Sequence, residues 1–171
     1  MPEIEYVHDR METEELLERL CPPVRNWFMD KFPDFTEPQK VAIPRILNGE
    51  HLLLCSPTGS GKTLTAFLTI IDDLVRGSLD GTLPDSVQCV YISPIKALAN
   101  DIEKNLLGPL GEIKERYLPS RAKEIKVGLR TGDTPQSERQ KMLRKPPHIL
   151  ITTPETIGLG LASKRYRPIL G

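Results

Sequence analysis

Leu52-Leu53-Leu54-Cys55-Ser56-Pro57-Thr58-Gly59-Ser60-Gly61-Lys62-Thr63 is the stretch on which the fold of this 171-residue chain turns. Four apolar residues lead into a glycine-bearing turn, and residues 64–75 after it read as a helix. A strand, a glycine turn and a helix in that order make a cradle for phosphate. The turn aims backbone N–H groups at the anion, and the helix N-terminus adds positive potential. Lys62 would reach the β- and γ-phosphates of a nucleotide, and the Thr63 hydroxyl would hold magnesium. Ser56 stands where the generic pattern has glycine. What remains, Thr58-Gly59-Ser60-Gly61-Lys62-Thr63 behind an apolar run, is still specific for nucleotide binding.

Outward from this stretch the chain falls into short elements. Residues 14–20 and 24–32 read as helices parted by Cys21-Pro22-Pro23, and 37–47 as a third helix stopped by Asn48-Gly49. Strands are then predicted at 52–55, 87–92, 125–129 and 149–152, and helices at 61–76, 95–107, 135–144 and 154–163. Residues 77–85 and 108–123 read as connections. The strands are continuous apolar runs, as in a sheet covered on both faces. Their alternation with helices predicts an α/β fold with a mostly parallel sheet in a three-layer sandwich. Pro94, Pro135 and Pro154 each follow Ser or Thr and open a predicted helix, where a missing N–H costs nothing.

Composition narrows the function classes. Charged residues make up 27% of the chain and apolar residues 39%, which fits a globular domain with a core. The longest apolar stretch, near residues 67–71, is too short to cross a bilayer, and the acidic N-terminus is wrong for a signal peptide. The expectation is a cytoplasmic protein with no membrane partner. Cys21, Cys55 and Cys89 lack close spacing and are expected as reduced, buried thiols; His8, His51 and His148 are scattered, so no His-based metal site is expected. The formal charge is zero, yet residues 1–85 carry 8 Lys/Arg against 15 Asp/Glu and residues 86–171 carry 15 against 8. Such a balance argues against indiscriminate coating of nucleic acid while permitting a local phosphate-binding face in the basic half.

Three further stretches follow in order: Tyr91-Ile92-Ser93-Pro94-Ile95-Lys96-Ala97-Leu98-Ala99-Asn100-Asp101, Arg130-Thr131-Gly132-Asp133, and Thr152-Thr153-Pro154-Glu155. With the phosphate loop they resemble superfamily 2 helicases, from about Phe32 to the end. The wording around the motifs looks closest to the large helicase-related (Lhr-type) ATP-dependent DNA helicases. The resemblance implies a RecA-like P-loop fold, ATP and magnesium as cofactors, and single-stranded DNA or RNA as partner. The cofactor would be held by Gln39, Ser56, Pro57, Thr58, Gly59, Ser60, Gly61, Lys62 and Thr63, with Lys62 and Thr63 catalytic. The nucleic-acid track would comprise Pro94, Lys96, Ala97 and Leu98, then Arg130, Thr131, Gly132 and Asp133, then Thr153, Pro154 and Glu155. These lie after parallel strands, the edge where ligands bind in open α/β folds.

Several residues carry two readings. Gln39 implies an adenine contact by resemblance, but Thr36-Glu37-Pro38-Gln39 is also a capping-box signature. Phe35 or Phe32 could stack on the base, whereas Trp27, Phe28 and Phe32 at helical spacing read as core. Ser93-Pro94 and Thr153-Pro154 serve equally as helix caps or as phosphate grips. Arg139, Lys141, Arg144 and Lys145 read as a solvated face. Asp72, at the end of an apolar run, mimics a magnesium ligand; it lies on the helix that opens at the phosphate loop, so the acidic residue is expected on a neighbouring strand.

Residues 1–33 are expected as a helical lead-in and 34–171 as part of the first RecA-like domain. The family's Asp-Glu motif and second domain are not found before Gly171. The sequence therefore predicts nucleotide capture without useful hydrolysis or unwinding by this chain alone, and an open sheet edge that the rest of a helicase or a partner covers. The other readings are an RNA motor and a nucleotide-switched binding module that does not hydrolyse.

Overall fold

The computed structural model describes residues 5–94 and 101–163. Four helices come first: α1 (Thr13–Arg19), α2 (Pro22–Lys31), α3 (Glu37–Leu47) and α4 (Lys62–Asp80). Strand β1 (Cys89–Ile92) follows. A π-helical turn (Glu103–Leu107) runs into α5 (Gly108–Arg116), then come β2 (Val127–Arg130), α6 (Gln136–Arg144), β3 (Ile149–Thr152) and α7 (Pro154–Ala162). The chain divides into two compact units, Met1–Asp73 with Lys104–Leu118, and Leu74–Glu103 with Pro119–Gly171.

The first unit is helical. Leu16, Val24, Phe28, Ile43, Phe67, Leu68, Leu106 and Ile113 are fully or almost fully buried there. Phe28 and Phe35 stack with ring centroids 3.9 Å apart, and Phe32 lies 5.0 Å from Phe28 and 5.8 Å from Trp27. α1 packs on α3, and α2 packs on α5. Asp72 is buried and accepts a hydrogen bond from the Cys21 N–H at 2.6 Å, at the residue that caps α2. The side chain that mimics a metal ligand thus ties α4 to the start of α2.

The second unit holds the sheet. Among the described residues it has three parallel strands in the order β1-β3-β2. The central strand buries all four residues, which is why Ile149-Leu150-Ile151 is an unbroken apolar run. Each of those side chains contributes about 1.5–3 kcal/mol on burial. His148, just before β3, bridges both neighbours: its C=O accepts from Gln88 N and Cys89 N, and its N–H donates to Lys126 O.

Four expectations need correction. Residues 77–80, expected within a connection, continue α4 to Asp80, with Val75 and Ser78 buried on it. Residues 52–55 form no strand, and Leu53 is 85% exposed. A continuous apolar run becomes a strand only when a neighbour accepts its ladder bonds, and among the described residues the ladder joins only β1, β3 and β2. Residues 108–116, expected within a connection, are helical, with Pro109 in the first turn where its missing N–H costs nothing. The preceding π-helical turn shifts the bonding register, and Leu106, Leu110 and Ile113 recur at helical spacing on a buried face. Cys55 is exposed, while Cys21 is buried and the half-buried Cys89 thiol is pushed up to about 11 by burial.

Candidate nucleotide and nucleic-acid sites

The phosphate loop lies in the first unit and is built by backbone conformation. Gly59 and Gly61 have φ of +82° and +86°, a region that residues with a Cβ rarely enter. The loop also braces itself, with Ser56 Oγ and Ser60 Oγ 2.6 Å apart and Ser60 N donating to Pro57 O at 3.4 Å. α4 begins at Lys62, so helical N–H groups open directly at the turn. Lys62 folds back over it: Nζ donates to Ser56 O and, at 2.7 Å, to Pro57 O. A cation held by two carbonyls at the mouth of a glycine turn fits a site for a polyanion such as ATP. Thr63, next on the helix, is half-buried and would be the protein's hydroxyl ligand for magnesium.

A second segment of the same unit is fastened to this loop. Thr36 Oγ1 donates to Ser60 O at 2.9 Å. The Gln39 amide closes the capping box by accepting from Thr36 N at 2.9 Å, while Nε2 reaches Gly61 O at 3.5 Å. A Cβ at position 61 would come within 2.7 Å of Gln39 Nε2, so glycine there also admits Gln39. The capping role is present, and the amide keeps one N–H and one lone pair beyond these bonds. Phe35 is buried in the stack with Phe28.

Sequence reasoning missed Asp34. Its carboxylate accepts from Thr13 Oγ1, from Lys40 Nζ at 3.0 Å and from Phe35 N at 2.7 Å. The Thr13 bond first, then Lys40, holds its carboxyl below the usual range. These bonds fix the approach to Thr36, and only the acidic residue two positions ahead of a capping threonine hinted at it.

The other candidates gather in the second unit. Ile92, Thr152 and Arg130 are partners across the parallel ladder, so Ser93, Thr153 and Thr131 leave the three strands at one edge. Ser93 N donates to Thr152 O at 3.1 Å, extending the ladder by one bond. Thr153 caps α7, its Oγ1 accepting from Thr156 N at 3.4 Å. Gly132, Asp133, Pro94, Pro154 and Glu155 are exposed near these strand ends. Lys96, Ala97 and Leu98 lie outside the described residues. Arg139 is not a solvated cation: Nε donates to Thr134 O at 2.7 Å and Nη2 to Gly132 O at 2.6 Å. Its spacing on a charged helix face concealed that role.

Residues 36–168 match the DEAD/DEAH box helicase family. The chain is 46% identical over 172 aligned positions to the ATP-dependent helicase Lhr-Core of Methanocaldococcus jannaschii, covering 99% of this chain and 20% of that protein. It is 53% identical over 161 positions to the Lhr-Core helicase of Methanothermobacter thermautotrophicus, covering 93% of this chain and 19% of the other. Among solved structures it resembles the Mycobacterium smegmatis helicase Lhr bound to ssDNA and AMP-PNP, with TM-score 0.75, 43% identity, and 91% of this chain against 19% of that one. The chain therefore spans about a fifth of the length of these relatives. With a match to the family across most of its sequence and a parallel α/β sheet to go with it, the chain belongs to the DEAD/DEAH box helicases.

Proposed function

We propose that this chain is the nucleotide-capturing part of an Lhr-type, ATP-dependent DNA helicase. Residues 34–171 would form part of the first RecA-like domain, with 1–33 as its lead-in. The observation that carries this reading is the Ser56–Thr63 turn. Two glycines sit at positive φ, a helix opens directly behind them, and Lys62 is held over the turn by two carbonyls. Lys62 would exchange those carbonyls for β- and γ-phosphate oxygens, Thr63 would hold magnesium, and Gln39 would offer its remaining amide valences to adenine. ATP supplies the phosphoryl group whose transfer drives the motor. Hydrolysis also needs a carboxylate to orient magnesium and water, and arginines worth about 10³–10⁵ in rate in related NTPases. The residues assigned here supply capture only.

The strand track would run along the edge marked by Ser93, Thr131 and Thr153, gripping phosphate and sugar and not base identity. The ssDNA in the Mycobacterium smegmatis Lhr structure supports a single-stranded DNA ligand. Isothermal titration with magnesium-ATP tests the nucleotide site. Binding by the parent that drops about 100-fold in Lys62→Ala is expected, as for loss of a charged donor to phosphate; equal affinity in both rejects the site. Matched DNA and RNA strands then test the second half, and tighter binding of RNA would replace DNA with RNA in the assignment.

A further inference from the structure

The turn at residues 131–134 is held by a side chain from outside it. Arg139, on the first turn and a half of α6, donates from Nε to Thr134 O at 2.7 Å. Its Nη2 donates to Gly132 O at 2.6 Å and to Thr131 O at 3.4 Å. Thr134 adds an internal brace. Its Oγ1 accepts from Thr131 N at 2.8 Å, and its N–H donates to Thr131 O at 3.3 Å. In a planar trans peptide, C=O and N–H point in opposite directions. Drawing the carbonyls of Thr131 and Gly132 onto the guanidinium therefore turns the N–H groups of Gly132 and Asp133 away from it. Both residues are exposed, and nothing lies within 4 Å of the place a Gly132 Cβ would take.

We infer that Arg139 is a positioning residue for nucleic-acid binding. Its guanidinium gathers the carbonyls of the turn so that the Gly132 and Asp133 N–H groups face outward as a ready pair of donors to a single-strand phosphate. Adjacent main-chain N–H groups of this kind form anion-binding concavities. A planar fork suits the task, since Nε and Nη2 reach separate carbonyls at fixed geometry, which an ammonium cannot reproduce. The inference rests on the assignment of this turn to the strand track, and the experiment separates the two.

Binding of a fluorescein-labelled oligo-dT is measured by anisotropy over a salt series for the parent, Arg139→Met, Arg139→Lys and Gly132→Glu, with melting curves for each. Arg139→Met is expected to weaken oligo-dT binding about tenfold. The slope of log K against log salt should stay unchanged, because Arg139 does not itself neutralise a phosphate. Magnesium-ATP affinity should also stay unchanged, and Arg139→Lys should fall between. Gly132→Glu, placing a carboxylate in the open space, should abolish strand binding. Loss in Gly132→Glu with parental affinity in Arg139→Met overturns the positioning role alone. Parental affinity in Gly132→Glu overturns the strand assignment beneath it. A salt slope lowered by about one in Arg139→Met means direct phosphate contact and contradicts positioning. If Arg139→Met does not fold, Arg139→Lys decides: full parental affinity there rejects the role of the fork.

Discussion

At the 56–63 turn a lysine bonds the carbonyls of Ser56 and Pro57; at the 131–134 turn an arginine bonds those of Thr131, Gly132 and Thr134. The device is the same, a cation gathering main-chain oxygens, but the tasks proposed for the two cations are opposite. Lys62 belongs to the motif and in the proposed function would itself be the group for phosphate, so its carbonyl bonds are the ones a nucleotide would displace. Arg139 lies beyond its motif and, as the proposed positioning residue, would stay in place while the turn it shapes meets the ligand. A mobile ammonium suits the first task and a rigid fork the second.

Gly61→Ala strikes the first turn hardest. It places a Cβ at φ +86° and 2.7 Å from Gln39 Nε2. The left-handed conformation alone costs about 1–2 kcal/mol. Magnesium-ATP binding should be lost by calorimetry and the melting midpoint should fall, while oligo-dT affinity stays near parental. Retained nucleotide binding would mean that the turn tolerates another backbone path.

Acid should separate the units next. Burial first, then Lys126 and Lys123, holds buried His148 below its ordinary value of 6.5, with Asp85 opposing. A histidine with a depressed folded pKa takes up protons more readily when unfolded, so stability is lost as pH falls through 6.5. His148→Asn keeps an acceptor for the Lys126 N–H and cannot titrate, so it should flatten stability between about pH 6.5 and 5. In the first unit, Asp34 and Glu112 are held below 3.8 and 4.5, by Thr13 and Lys31 foremost. Their contribution is present above those values and goes only as pH falls below them. Urea midpoints against pH for the parent and His148→Asn check the order; an unchanged slope in the variant refutes the histidine's part.

The smallest effect expected is Thr153→Val. The 3.4 Å cap bond to Thr156 is long, so stability should drop by about 0.5–1 kcal/mol. Strand affinity should fall by more than that destabilisation explains if the α7 start grips phosphate. A change in stability alone would leave Thr153 as a cap.

How much could be read in advance differed between the regions for the same physical reason. The phosphate loop is contiguous, and glycines at positions 59 and 61 with Lys62 behind them announce a turn without knowledge of any distant contact. The strand edge joins residues 93, 131 and 153, and only the register of Ile92, Thr152 and Arg130 brings them together. Strand and cap patterns outlined that edge, but Arg139 on a polar helix face gave no sign of bonding backward. Residues 52–55 failed as a strand because an apolar run specifies neither a pairing partner nor burial, and here Leu52 and Leu53 are exposed. The helix at 108–116 was hidden because Leu106, Leu110 and Ile113 speak through packing.

The most direct test measures both affinities, magnesium-ATP by calorimetry and oligo-dT without nucleotide by anisotropy, on the parent, Lys62→Ala and Gly132→Glu. The account predicts a crossed result: Lys62→Ala loses nucleotide and keeps the strand, and Gly132→Glu loses the strand and keeps nucleotide. Magnesium-ATP binding that survives in Lys62→Ala, or folded variants that each lose both ligands, would contradict two separately built phosphate sites.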